Sequence, residues 1–294
     1  MLVNVLLGLL VFAAVMFSAT LLVQAKKRGQ LRPSGEAVLL GAITNFFDTL
    51  GIGSFAPTTA WLKLRKLVPD SFIPGTLNTG HAVPAITQAL IFITLVEVDT
   101  GLLVSCIAAA VLGAVLGAPW VVRLPVRVVQ GFVGAALLVA AGLYAMANLQ
   151  LLPLGGDALA LPAGLWLIAI AIHFVLGALM TFGIGMYAPS LILLSLMGLN
   201  PQAAFPIMMG ACAFLMPVSG MRFVRAERID LRVVLGVALG GVPAVLLAAF
   251  VVKSLPLTTL RWGVVAVVLY AAALLLRSAF AAPAPAQPEG AVDP

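Results

Sequence analysis

Of the 294 residues, 63% are hydrophobic and only 9% charged, against roughly 25% charged in an ordinary soluble domain. A mean hydropathy of +1.17 leaves too little polar surface to face water, so the chain reads as an integral membrane protein. Its apolar runs are continuous, which selects helices over a β-barrel. The net charge of +6 sits mostly at the ends of those runs, which argues against nucleic-acid binding and fits basic loops at a cytoplasmic leaflet.

The first run, 2–25, is long enough to span, since about 20 helical residues cross about 30 Å of hydrocarbon. Lys26-Lys27-Arg28 follows it rather than precedes it. A cleavable signal carries its charge on the other side, so a retained helix with an extracytoplasmic N-terminus is expected. Further apolar segments lie at 36–62, 71–96, 101–122, 126–148, 164–197, 202–221, 231–252 and 257–276. The Pro-rich end of the chain reads as a disordered cytoplasmic tail.

Thr49-Leu-Gly-Ile-Gly-Ser-Phe-Ala-Pro57 recurs as Thr181-Phe-Gly-Ile-Gly-Met-Tyr-Ala-Pro189, with six of nine positions identical at an offset of 132. Pro74 and Pro206 keep that offset; Asp99 and Asp230, then Leu124-Pro125 and Leu255-Pro256, match at 131. The chain therefore divides into an N-terminal helix and basic cytoplasmic loop (1–35), a first repeat (36–148), an extracytoplasmic linker (149–167), a second repeat (168–276) and the tail (277–294).

Charge decides the orientation of the repeats. If every apolar segment crosses, nine Lys and Arg residues fall inside and seven outside, almost no bias for such short loops. If the two Gly-Ile-Gly segments dip in and return, Lys63, Arg65, Lys66, Arg123 and Arg127 move inside, and the split becomes fourteen to two. The predicted fold is thus an all-α membrane protein of two inverted repeats. Each has a re-entrant or broken helical hairpin, with arms of roughly 10–15 residues or about 15–22 Å, plus three transmembrane helices. One extra helix precedes them. Many secondary transporters are built this way.

The hairpin turns carry the candidate site. Gly51 and Gly53, with Gly183 and Gly185, permit a sharp turn and close backbone approach. Pro57 and Pro189 suit the first turn of a returning half-helix. Each half-helix would then aim free N–H groups and about +0.5 charge at the membrane interior, where a small anion could bind without a buried Lys or Arg. Glycines that merely allow helix packing are the plainer alternative; duplication with proline at a fixed distance favours a substrate cavity. Ser54 and Tyr187 flank the turns. The next helix is expected to be interrupted in both copies, at Ile73-Pro-Gly-Thr-Leu-Asn-Thr-Gly-His-Ala-Val-Pro84 and at Phe205-Pro-Ile-Met-Met-Gly-Ala-Cys-Ala-Phe-Leu-Met-Pro217. Thr76, Asn78 and Thr79 would offer donors to an oxyanion, and Met208, Met209 and Cys212 are their softer counterparts.

Asp48, His81 and His173 are the groups that could titrate deep in the apolar regions. Intramembrane ionisable residues usually mark ion pathways or pair with one another. Asp48 and His81 are expected within reach of each other as a proton-coupling pair; a neutral Asp48 bonded to Asn45 or to backbone freed by the turn is the alternative. His173 reads as a hydrogen-bonded packing residue.

The Gly-Ile-Gly-x-x-x-Pro element, the Pro-Gly-Thr-Leu-Asn stretch about 20 residues later and their second copies resemble the TauE/SafE-type sulfite exporter family, also called toluene-sulfonate uptake permeases. The resemblance implies transport of a sulfur-containing oxyanion or organosulfonate, driven by an ion gradient.

A secondary transporter is the leading expectation, with a channel as the alternative within transport. An intramembrane enzyme would need converging catalytic groups, and neither His-Glu-x-x-His, Gly-x-Ser-x-Gly nor paired intramembrane aspartates occur. Two cysteines and two histidines give no disulfide framework and no zinc site, so no cofactor, metal or catalytic residue is expected. The expected partners are a small anion and membrane lipid, not nucleic acid, with a homodimer as one option. The expected location is a bacterial inner membrane.

Overall fold

The computed structural model describes residues 2–117, 126–151, 156–181, 183–254 and 256–280, and every regular element among them is a helix. Helix α1 (Leu2–Lys27) buries one stripe, Leu6, Leu10, Phe17 and Leu21, while Phe12 and Val15 on its other faces stay 64% and 62% exposed. Large apolar side chains left uncovered over a whole helix face are at home in lipid.

The apolar segment 36–62 forms two helices, α2 (Gly35–Thr49) and α3 (Phe55–Arg65). Ser34 caps the first by accepting from the Ala37 amide. A single-turn 3₁₀ helix, Asp70–Phe72, leads into α4 (Ile73–Gly80) and α5 (Ala82–Leu95). Helix α6 (Thr100–Leu112) is capped by Asp99, which accepts from Leu102 N at 2.7 Å, and runs into a π-helical turn, Gly113–Gly117. Helix α7 is Val126–Asn148. The second half repeats the order: α8 (Ala163–Met180), α9 (Tyr187–Leu196), α10 (Pro201–Arg225), α11 (Leu231–Ser254) and α12 (Leu257–Phe280).

Helices α2, α3, α6 and α7 thus find counterparts in α8, α9, α11 and α12. The remaining pair differs. In the first half α4 and α5 part at His81, whereas α10 is one helix of 25 residues through Pro206 and Pro217. The expected interruption of the second copy is therefore corrected. A proline inside a membrane helix removes one backbone hydrogen bond and can be absorbed where neighbours pack closely. The first copy adds Gly80, a weak helix former, next to a histidine whose ring is held by two other helices.

Six helices, α1, α7, α8, α10, α11 and α12, are long and apolar enough to cross a membrane; the protein is a multi-pass membrane protein. The first arms, α2 with 15 residues and α8 with 18, reach or exceed the expected arm length, while α3 and α9 have 11 and 10. Leu124, Pro125, Arg123, Leu255 and residues 281–294 of the predicted tail lie outside the described residues.

Packing interleaves the halves. Helix α2 lies along α11 and α6 along α8, which are the same pairing with the halves exchanged. Helix α5 packs on α10, and α7 on its own counterpart α12. Glycines let the exchanged pairs approach to backbone contact. A Cβ on Gly240 would strike the Val38 carbonyl, and one on Gly177 the Ala110 carbonyl. Such small-residue seams are the usual means of close helix association in membranes. Overpacking of this kind costs about 1–3 kcal/mol. Gly240→Ala and Gly177→Ala should each lower the melting temperature of the detergent-solubilised protein, whereas Gly142→Ala, where a Cβ meets nothing within 4 Å, should leave it unchanged.

Candidate functional site

The site is assembled where α2 and α8 stop. Gly51, Gly53 and Gly183 have φ of 91°, 86° and 88°, the left-handed region that glycine enters without strain. Gly185 does not share it. A Cβ there would meet the Phe55 Cβ at an ordinary contact distance of 3.6 Å, so neither φ nor space requires glycine at this position. Each turn rests on the opposite half, Gly51 near the Leu191 side chain and Gly183 near that of Leu77.

Helices α3 and α9 begin directly after these turns, and neither N-cap residue, Ser54 or Met186, caps its helix with its own side chain. Pro57 and Pro189 occupy the third helical position of each, where a missing N–H costs little. At α9 the first amides and the positive end of the dipole thus have no side-chain acceptor at the cap, while at α3 a carboxylate, Asp48, already sits at the Ser54 amide. Both ends border one cavity: Ser54 and Phe55 line it from the first half, Met186 and Tyr187 from the second. Asp48, Gly53, Met180, Gly185, Cys212 and Met216 complete the wall. Centres of water-sized spheres range over about 20 Å³ within it, enough for about one water molecule and too small for a four-atom oxyanion. The site is closed.

Hydrogen bonds fix its first-half wall. Both Asp48 oxygens accept, Oδ1 from the Ser54 amide at 2.6 Å and Oδ2 from Gln88 Nε2 at 2.9 Å. Gln88 Nε2 also donates to Thr49 Oγ1 at 3.0 Å, and the Tyr187 hydroxyl donates to Gln88 Oε1 at 2.5 Å. One buried amide thus ties the α9 terminus of one half to the Asp48 carboxyl of the other. The sequence had not singled out Gln88. It lies on α5, one residue after a threonine in an apolar run, and only the fold brings it to Asp48; its polarity inside that run was the available signal.

The histidines lie behind the wall. His81 Nδ1 meets Asn45 Oδ1 at 2.9 Å, and Nε2 meets Thr58 Oγ1 at 3.0 Å. Asn45 Nδ2 donates to the Gly41 carbonyl, which orients the amide so that its oxygen faces the ring. His81 therefore donates from Nδ1, and in the neutral form its Nε2 accepts from Thr58. In the second half His173 Nδ1 donates to the Ala169 carbonyl at 2.8 Å and Nε2 meets Ser190 Oγ at 2.9 Å. Thr58 and Ser190 are repeat equivalents, each one residue past the half-helix proline. Each half thus ties its half-helix to a buried histidine, drawn from a different element in each case.

Asp48 and His81 share no hydrogen bond among the described residues. They are joined indirectly, since Gln88 reaches Thr49, Thr49 donates to the Asn45 carbonyl, and the Asn45 side chain holds His81. Of the residues expected to contact substrate, Gly53, Ser54, Gly185, Tyr187 and Cys212 line the cavity, and Gly51 and Gly183 shape its turns. Met209, Thr76, Asn78 and Thr79 are buried but outside its lining. Thr76 Oγ1, Asn78 Oδ1 and Thr79 Oγ1 have no hydrogen-bond partner. Thr20, Thr44, Thr49, Thr87 and Thr94, by contrast, all donate to the carbonyl four residues back. Met180, Met186, Met216 and Phe55 join the wall without having been expected there.

The breaks, their facing half-helices and the multi-pass fold now stand beside one family comparison: residues 165–292 match the model of the sulfite exporter TauE/SafE family. The second half is thus similar to that family, over 128 of the 294 residues. That match takes in α8 to α12, including the 183–186 turn, and the family is one of membrane transporters of sulfur anions. No curated protein and no solved structure matches the chain.

Replacing Gln88 by Leu strands the Tyr187 hydroxyl and one Asp48 oxygen together. Leaving a buried polar group unsatisfied costs about 1–3 kcal/mol. Gln88→Leu should therefore destabilise the protein by at least that much in thermal unfolding, with Tyr187→Phe the milder change because the amide keeps its Asp48 and Thr49 bonds.

Proposed function

We propose that the protein is a secondary transporter for a small sulfur oxyanion or organosulfonate, of the sulfite, thiosulfate or sulfonate class, working by alternating access and coupled to protons. The observation that carries this reading is the one narrow cavity that both the α3 and the α9 N-terminal ends border. Two converging helix ends attract an anion without a buried cation, and the TauE/SafE match supplies the chemical class. A pinched cavity of about 20 Å³ suits a carrier between open states better than a continuous pore, and no converging catalytic set favours an enzyme.

The same wall supplies the coupling. Asp48 accepts from the Ser54 amide, so its carboxylate occupies a donor that cargo would use. Two negative charges about 5 Å apart repel by roughly 3 kcal/mol at an effective dielectric of about 20. Protonating Asp48 removes the repulsion and weakens its hold on Ser54, so proton and anion enter together. The second half has Met180 at the equivalent position, and the device belongs to one half only. His81 keeps α3 in place through Thr58 and takes part in coupling by way of Asn45 and Thr49. Opening of the halves would bring Thr76, Asn78 and Thr79, and behind them Met209, to the path.

The exchanged packing of α2 on α11 and α6 on α8 supports two repeats related by a pseudo-two-fold axis, and the fourteen-to-two charge split supports inversion across the membrane, re-entrant arms, an extracytoplasmic N-terminus and a bacterial inner-membrane location.

Proteoliposomes given radiolabelled thiosulfate, sulfite and an aryl sulfonate test the proposal. Saturable uptake of at least one, accelerated by an acidic exterior, is expected. Asp48→Asn should abolish the acceleration. Gly53→Val should reduce uptake at least about tenfold, because a branched residue is strained at the Gly53 φ. Absence of saturable uptake for the whole panel would overturn the reading.

A further inference from the structure

The cavity wall has a composition that the anion reading does not use. We propose that in its closed form the cavity binds a soft monovalent cation, Cu(I) or Ag(I), through Cys212 and the methionine sulfurs around it. Three of the ten methionines and one of the two cysteines of the chain meet at this one small void. Cys212 Sγ lies 3.5 Å from Met180 Sδ. Met216 follows Cys212 by four residues on α10 and so shares its face. Met186 enters from the start of α9. All four are buried, none more than 3% exposed.

Methionine often fills irregular gaps in cores, but here three methionines and a cysteine border one void, with two of their sulfurs 3.5 Å apart. Thioether and thiol ligands select Cu(I) and its heavier analogue over hard cations. Size agrees, because room for about one water accepts a monatomic ion. Charge agrees as well. Asp48 is the single carboxyl in the wall, and no Lys, Arg or His lines it; His81 and His173 face Thr58, Asn45, Ser190 and the Ala169 carbonyl instead.

Binding is written as Cys–SH + M⁺ → Cys–S–M + H⁺, since the thiolate is the ligand and metal binding releases its proton. The Asp48 carboxylate on the same wall takes up that proton, so the site passes from a charge of −1 (thiol and carboxylate) to neutral (metal thiolate and carboxylic acid) as the cation enters. Nothing oxidised or reduced is required.

The test uses the full-length protein in detergent and a nitrate buffer free of sulfur anions, so that it stands or falls separately from the transport assay. Ag(I), and Cu(I) held against a chromogenic chelator, are titrated in. The expected result is one ion retained per chain after desalting, with sulfur ligation in the X-ray absorption spectrum. Cys212→Ser and the double variant Met180→Leu/Met216→Leu should each weaken retention at least about tenfold, and Cys106→Ser, on α6 and outside the cavity, should not. The Met→Leu exchange preserves volume and apolarity, so it keeps the test valid if Cys212→Ser does not fold. No retained ion in the wild type would overturn the proposal. So would retention that is lost with Cys106→Ser and unaffected by the Met→Leu pair.

Discussion

Backbone groups inside a membrane must find partners within the protein, and much of this structure follows from how that demand is met at two helix breaks. The turns after α2 and α8 expose amides that neither helix can use. Each turn is laid against the opposite half, Gly51 beside Leu191 and Gly183 beside Leu77, and one of the freed amides, Ser54 N, goes to Asp48. The first residues of α3 and α9, Phe55 and Tyr187, border the same narrow void. The glycine seams between α2 and α11, and between α6 and α8, bring the two halves close enough for this to work.

The two halves answer the same constraint with different chemistry. The first half supplies a carboxylate, an amide ladder through Gln88 and Thr49, and a histidine between Asn45 and Thr58. The second supplies sulfur, with Met180 where Asp48 would be. A symmetric scaffold thus encloses an asymmetric site, polar and ionisable on one wall and polarisable on the other. On the proposed transport reading this asymmetry separates the coupling proton from the cargo contacts. The tie from Tyr187 to Gln88 joins the walls, and it must break if the halves part.

What the sequence revealed and concealed follows from range. Hydropathy and the 132-residue repeat located every apolar segment and both breaks, because glycine, proline and continuous apolarity act locally. The turns at Gly51 and Gly53 and at Gly183 and Gly185 were legible for that reason. Residues that matter through distant partners were not. Gln88 gains its role from Asp48, 40 residues away, and from Tyr187, 99 residues away. Met180, Met186 and Met216 meet only after α8, α9 and α10 fold together. The repeat also invited too much symmetry. It suggested a broken α10, yet Pro206 and Pro217 are absorbed within one helix.

On the proposed transport reading, the two turns enter from opposite leaflets and meet at mid-depth. Site-directed labelling in intact cells examines this most directly, with Lys63→Cys after the first turn and Asp157→Cys before the second, probed by a membrane-impermeant thiol reagent in a background lacking Cys106 and Cys212. Asp157→Cys should react from the periplasm and Lys63→Cys only after the inner face is exposed. Periplasmic labelling of Lys63→Cys with protection of Asp157→Cys would contradict the architecture and the function argued from it.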